Sequence, residues 1–272
     1  MNRSVKLAVD IVGEGTPILL LHGFPDSRKI WRDITPRFVE HGYQVIAPDM
    51  RGFGDSPILD NTADYKAHLV IDDLIQLMDD HETEQPIHVV GHDWGAVIAW
   101  CMALTHPDRV RSIVPVSVGH PMSYARAGLE QKWKGRYVLG FQLRGFAERW
   151  ISKDDFTSLR SWGVQHPMIE DSISLMSRQG RLTAGLNYYR ANLVDAFTGV
   201  WDKKCKVPTL GIWSSDDSAL AEDQMVNSQK YMDAPWSYQR LIGGHWIPLE
   251  QPEVLFEVVY DWHQSLEGLD SV

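Results

Sequence analysis

The stretch Gly91-His92-Asp93-Trp94-Gly95 constrains this chain more than any other. It follows the apolar run Ile87-His88-Val89-Val90 and precedes a small, apolar, helix-like run over 96–104. Strand, then G-x-X-x-G, then helix is the sequence form of a sharp turn that lifts one side chain above a sheet. The terminal glycines let strand and helix approach closely around a strained residue. Such a turn usually carries Ser; here it carries Asp. A carboxylate there does not run the usual esterase cycle, but it can attack an electrophilic carbon and form an ester.

Such a turn needs a layered sheet beneath it. Strand patterns at 5–12, 18–22, 44–48, 87–91 and 112–118 alternate with helical patterns at 30–41, 65–80 and 96–106. The alternation returns with strands at 209–214 and 238–242, a helix near 221–231 and a final helix over 252–265. That last helix carries the stripe Val254, Leu255, Val258, Val259 and Trp262. Apolar strands separated by helices predict an α/β fold, a mostly parallel sheet of about seven or eight strands covered on both faces. Residues 121–203 break the pattern, being helix-like and rich in Trp, Tyr and Arg. They read as a helical cap over the carboxyl ends of the strands, where open α/β sheets bind ligands. The predicted organisation is a core of 1–120 and 204–272 with a cap of 121–203.

Charge and cysteine usage narrow the function classes. A net charge of −10 argues against nucleic-acid and anionic-membrane partners, which need a basic face. The first residues lack the apolar core of a signal peptide, and no run of 18 apolar residues could span a bilayer, so a cytoplasmic protein is expected. Cys101 and Cys205 offer neither metal spacing nor a disulfide framework. No metal and no cofactor is expected. Cys101 is read as a small buried hydrophobe. A homodimer is compatible with the chain.

A turn of this kind recruits an acid and then a histidine, in that chain order. Ser214-Ser215-Asp216-Asp217 follows the strand at 209–214, and Gly243-Gly244-His245-Trp246 follows the next strand. His245 is the candidate base and Asp217 the candidate orienting acid, with Asp216 its solvated neighbour. No acid ends the strand at 112–118, so the late position stands alone. The segment His22-Gly23-Phe24-Pro25 also ends a strand, which brings the Phe24 N–H near the N–H of Trp94 as an oxyanion-binding pair. His22 is read as shaping that loop, and residues 49–56 as a structural turn.

His22-Gly23-Phe24-Pro25, Gly91-His92-Asp93-Trp94-Gly95 and Gly244-His245-Trp246 resemble the α/β-hydrolase-fold epoxide hydrolases from about Val5 to the final helix. Haloalkane dehalogenases share the Asp turn and Trp94, and the cap distinguishes the two. One epoxide hydrolase motif places a Tyr four residues before F-Q-x-x-G-x-x-E, here Tyr137 before Phe141-Gln142-Leu143-Arg144-Gly145-Phe146-Ala147-Glu148. Another resembles N-[WY]-Y-R, here Asn187-Tyr188-Tyr189-Arg190. The resemblance makes Tyr137 and Tyr189 the acids that protonate an epoxide oxygen, with Phe24, Trp94 and Phe141 against the substrate. Helical spacing independently puts Tyr189 on one stripe with Leu182, Leu186, Leu193 and Phe197, with Tyr188 about 100° away. That periodicity alone favours simple packing for Tyr189; the motif favours the acid.

The resemblance implies hydrolysis of a small apolar or aromatic epoxide by water to a vicinal diol, a detoxification chemistry, through an ester on Asp93. His245 and Asp217 would activate the water. Dehalogenases often carry Asn where Phe24 stands, so position 24 weighs against halide chemistry. Two departures stand out: Arg144 occupies a position where the family commonly has Pro, and the usual first edge strand is missing, which favours seven strands. The alternatives are a haloalkane or haloacid dehalogenase using the same Asp, and a non-catalytic small-molecule receptor of the same fold.

Overall fold

Seven short runs, most of them rich in Val, Ile or Leu, become strands of one sheet in the computed structural model, which describes residues 4–81, 83, 85–162 and 166–269. They are β1 (Val9–Val12), β2 (Thr16–Leu21), β3 (Tyr43–Pro48), β4 (Ile87–His92), β5 (Val110–Val116), β6 (Thr209–Ser214) and β7 (Trp236–Leu241). Their spatial order is β1-β3-β2-β4-β5-β6-β7. β1 pairs antiparallel with β3, and every other ladder is parallel.

Alternation along the strands divides the core into two layers. Leu19, Leu21, Val89 and Ile113 point into one, and Ile18, Leu20, Val90 and Val114 into the other. Both faces are therefore covered, as continuous apolar strands require. Helices α1 (Thr35–Glu40), α2 (Ala67–Asp80) and α3 (Trp94–Thr105) lie in the first half of the chain. Between β5 and β6 the described residues form helices and turns but no strand. These helices are α4 (Pro121–Ala125), α5 (Leu129–Lys134), α6 (Tyr137–Phe141), α7 (Phe146–Trp162, broken at Lys153–Phe156), α8 (Ile169–Met176) and α9 (Arg181–Phe197). The chain ends with α10 (Glu222–Val226), α11 (Ile247–Glu250) and α12 (Pro252–Leu269). Among the described residues no helix is long and apolar enough to cross a membrane.

Three expected elements differ. The strand expected at 5–12 begins only at Val9. The Val5 N–H donates instead to Asp73 Oδ1 (2.7 Å) and the Ala8 N–H to Ser56 Oγ (2.9 Å), so side chains take donors that a partner strand would use. The helix expected at 30–41 splits into a 3-10 turn, Arg28–Trp31, and α1. Pro36 lacks the N–H that would carry an incoming helix onward and sits in the first turn of a new one. The helix expected at 221–231 tightens to a 3-10 turn after Val226.

Because β2, β4, β6 and β7 run in the same direction, the loops that follow them emerge at one edge. Those loops carry Phe24, Asp93, Asp217 and His245. Parallel topology thus gathers residues far apart in sequence above the carboxyl ends of the strands.

Candidate active site

The turn after β4 is as tight as its sequence implies. Asp93 has φ 52° and ψ −117°, a strained conformation for a residue with a side chain. Its flanking glycines are steric necessities. A Cβ on Gly91 would lie 2.3 Å from the Gly95 carbonyl oxygen, and one on Gly95 would lie 2.0 Å from that of Leu21. Gly23 is similarly constrained, since a Cβ there would come within 2.4 Å of Asp93. That close approach lets the Phe24 N–H donate to Asp93 Oδ1 at 2.8 Å. The Trp94 N–H bears on the same carboxylate.

The structure brings Asp93, His245 and Asp217 together. His245 Nδ1 is 2.9 Å from Asp217 Oδ2, and its Nε2 lies 3.9 Å from Asp93 Oδ2. Asp217 Oδ1 accepts the N–H groups of Ala219 and Leu220, each at 2.8 Å, so both carboxylate oxygens are occupied and the side chain is fixed. Asp216, by contrast, is exposed. Burial disfavours the Asp217 anion, but the charge and hydrogen bond of His245 outweigh it and hold Asp217 below the usual carboxylate range. For His245, burial pulls the pKa down, yet Asp217, Asp93 and Asp26 raise it to about 9. Burial moves Asp93 upward, opposed by His245 and the two amides.

Across the cavity stand Tyr137 and Tyr189, their ring centroids 6.3 Å apart. Tyr189 meets Trp94 edge-on at 5.1 Å, Phe24 at 5.9 Å and Phe141 at 5.0 Å. Burial pushes both phenols well above 10, so they keep their protons as donors. A part-buried ion pair helps hold their backbones together. Arg190, next to Tyr189, grips Glu148 through two contacts of 2.8 and 3.1 Å and also donates to the Phe141 carbonyl at 2.8 Å. Helix α6, which holds Tyr137, is thereby clamped to α9. Two cavities of about 890 and 120 Å³ share Asp93, Tyr137 and Tyr189 in their walls. Phe24 and Phe141 face the larger and Trp94 the smaller. Among the described residues no group of three or more His, Cys, Asp or Glu is disposed to hold a metal ion.

Other sequence expectations find definite places. His22 is buried, donating from Nδ1 to the Gly23 carbonyl and accepting the Met50 N–H at Nε2, so it braces the loop. Asp49 accepts the N–H groups of Arg28 and Asp55, which makes 49–56 a structural turn. Cys101 is buried. Tyr188 is as buried as its neighbour but points elsewhere, its hydroxyl donating to the Arg51 carbonyl at 3.0 Å. Arg144 lies exposed and donates to Thr62 Oγ1 at 2.6 Å. The side chain of Phe197 lies outside the described residues.

Two features near the site carried no recognised signal. Asp26, one residue beyond the Phe24-Pro25 loop, is buried and satisfied on both oxygens. His166 Nε2 (2.6 Å) and Ser172 Oγ (2.8 Å) donate to Oδ1, and Trp246 Nε1 (3.2 Å) donates to Oδ2. This carboxylate ties His166 and Ser172, of α8 and its approach, to the loop carrying His245 and Trp246. A second tie comes from α5: Lys134 Nζ donates to the carbonyls of Asp217 (2.7 Å) and Leu220 (3.1 Å), while Gln131 exchanges hydrogen bonds with Ala219 and Ala221. A charged residue in the loop after a strand was the only available hint for Asp26, since its partners lie 140 to 220 residues away.

Comparison with known proteins agrees with this architecture. A family model for the alpha/beta hydrolase fold matches residues 16–252. Epoxide hydrolase 3 of Xenopus tropicalis is 31% identical over 262 residues, covering 90% of this chain and 70% of its own length. Epoxide hydrolase 2 of Siraitia grosvenorii is 30% identical over 306 residues, covering 96% of each chain. The crystal structure of an epoxide hydrolase from Bacillus megaterium bound to an inhibitor superposes with a TM-score of 0.85 at 23% identity, over 95% of this chain and 96% of that one, a likeness of fold. With its sheet and helices matched along nearly the whole length, the chain belongs to the α/β-hydrolase-fold epoxide hydrolase family.

Proposed function

We propose that the chain hydrolyses a small apolar or aromatic epoxide to a vicinal diol through an ester on Asp93. In this reading residues 121–203 act as a cap over a core of 1–120 and 204–272. The observation that carries it is the pairing of a strained, amide-held carboxylate with two protonated tyrosines in the walls of the same cavities. A departing halide needs only N–H donors, whereas an epoxide oxygen needs a proton, and Tyr137 and Tyr189 supply one.

The geometry suggests how the steps divide. Asp93 Oδ1 is occupied by the Phe24 N–H, which leaves Oδ2 to attack an epoxide carbon. As the carbon–oxygen bond breaks, Tyr137 or Tyr189 passes its proton to the ring oxygen, an effect worth roughly 10²–10⁴-fold. The phenolate regains a proton from the His245 imidazolium through cavity water, and His245 becomes neutral. Esterification also removes the Asp93 charge, one of the charges that raise the His245 pKa, so the same step favours the free base.

His245, oriented by Asp217, then takes a proton from a water that attacks the ester carbonyl carbon. Oδ1 now carries the developing negative charge; the Phe24 amide already donates to it and the Trp94 amide bears on the same carboxylate, and each such donor is typically worth about 2.7–4 kcal/mol. Collapse expels the diol oxygen, which takes the proton from His245; the incoming water oxygen stays on Asp93, and its remaining proton passes from the Asp93 carboxyl to His245, which restores the carboxylate and the imidazolium. Epoxide and water are thereby converted to diol with the residues restored.

A panel of aryl and alkyl epoxides and haloalkanes, scored for diol and for halide release, tests this reading. Diol from epoxides without halide release is the expected result. Halide release without diol would assign the cavity to dehalogenation, and binding without either product would make it a receptor.

A further inference from the structure

The cap segment 129–150 has a surface unlike the rest of the chain. Leu129, Trp133, Leu139, Leu143 and Phe146 are all more than half exposed, and Trp150 partly so. Exposed large hydrophobics elsewhere are single aliphatic residues, such as Val12, Ile58 and Ile242. Scattered aliphatics of that kind are ordinary, whereas a cluster rich in Trp, Phe and Leu marks an interaction face.

Charge is segregated in the same place. Residues 129–150 contain five Lys or Arg and two Glu, a local net charge of +3 in a chain of −10. Glu130 pairs with Lys134 and Glu148 with Arg190. Lys132, Arg136, Arg144 and Arg149 remain exposed, and among the described residues no carboxylate pairs with any of them. Arg136 instead lies 4.1 Å over the Trp133 ring, a cation and an aromatic presented together. The larger cavity opens within this face, since Arg136, Gly140, Phe146 and Trp150 line it.

We propose that this face docks the cap on an anionic lipid surface, with the cavity mouth turned toward the bilayer. Trp and Phe suit the headgroup boundary, and unpaired Lys and Arg suit anionic lipid. The acidic remainder of the chain is repelled by such a surface, so the molecule approaches cap first. The whole-chain charge speaks against membranes; its distribution does not. A second copy of the chain fits less well, because a two-fold contact through this face would set the same unpaired cations against one another. The proposal concerns where the cap docks and holds whatever reaction the cavity performs.

Co-sedimentation of the full chain, without substrate, tests it. The wild type is expected to pellet with phosphatidylglycerol–phosphatidylcholine vesicles at low salt, to bind phosphatidylcholine alone weakly, and to be released by added salt. Lys132→Gln with Arg149→Gln should weaken binding on the order of 25-fold, at roughly fivefold per cation near the surface. Leu139→Ser with Leu143→Ser should weaken binding at constant charge. None of these four side chains lines either cavity, and an unchanged Tm verifies that each variant is folded. Three results would overturn the proposal: no pelleting of the wild type with anionic vesicles, folded variants that bind as the wild type does, or a solution dimer that Leu139→Ser with Leu143→Ser dissolves.

Discussion

At the carboxyl edge of the sheet, Asp93, Asp217 and His245 are held by backbone N–H groups and by one another, on loops anchored to parallel strands. Across the cavity, Tyr137 and Tyr189 stand among Trp94, Phe24 and Phe141, held chiefly by ring packing and by the Arg190–Glu148 clamp. The sheet edge is thus fixed by directional bonds that tolerate little displacement. The cap wall is fixed by apolar contact, which is individually weak and adjustable. Substitutions at the edge should therefore act on the chemistry outright, and those on the wall should act by degrees.

The sharpest test of this contrast is His245→Gln. Turnover should fall on the order of 10⁴-fold or more, as for triad residues elsewhere, while ester formation continues. Mass spectrometry should then find the substrate's mass on the peptide containing Asp93; no adduct with any epoxide would remove the covalent scheme. On the wall, Tyr137→Phe with Tyr189→Phe should slow epoxide opening by roughly 10²–10⁴-fold, with each single change smaller because the other phenol remains. Single-turnover quench measures this, and full turnover by the double variant would show that the phenols are only packing.

A titration separates the two regions further. His245 is raised from 6.5 to about 9, so its pairing with Asp217 and Asp93 stabilises the fold fully below about 6.5 and is lost as pH rises through about 9. Urea unfolding across that window should show stability falling with pH, and Asp217→Asn should flatten the slope. For the ester intermediate, whose Asp93 charge is gone, hydrolysis should rise with pH and reach half its plateau below 9. A midpoint at or above 9 would mean that Asp93 contributes nothing to the His245 shift. The smallest expected effect is at the junction between cap and core. Asp26→Asn leaves the His166 and Trp246 donors poorly matched and should cost about 1–3 kcal/mol of stability, read by chemical denaturation, with little loss of turnover. A turnover loss equal to that of His245→Gln would move Asp26 into the chemistry.

How much of the fold and site is legible in the sequence follows from how local each constraint is. The turn at 91–95 is a contact between residues four apart, so its glycines announce it directly. Asp217 and Asp216 are neighbours with opposite environments, one buried against His245 and one exposed; the strand end before them located the pair, and Asp217, the acid expected from the sequence, is the one that meets His245. Helical period separated Tyr189 from Tyr188, but not the burial of Tyr188, which depends on the loop at Arg51. The strand expected from residue 5 failed because Asp73 and Ser56 capture its donors from 68 and 48 positions away.

The sequence by itself therefore determined the strand–helix alternation, the Asp at the turn and the chain order of acid and histidine, because each is written in spacing of a few residues. Only the tertiary structure decided how the cap meets the sheet. The Asp26–His166 tie, the Lys134 and Gln131 grip on the acid loop and the Arg190–Glu148 clamp join residues 42 to 140 positions apart. Which partner a buried polar group finds at that range depends on where whole elements pack, and no local pattern carries that information.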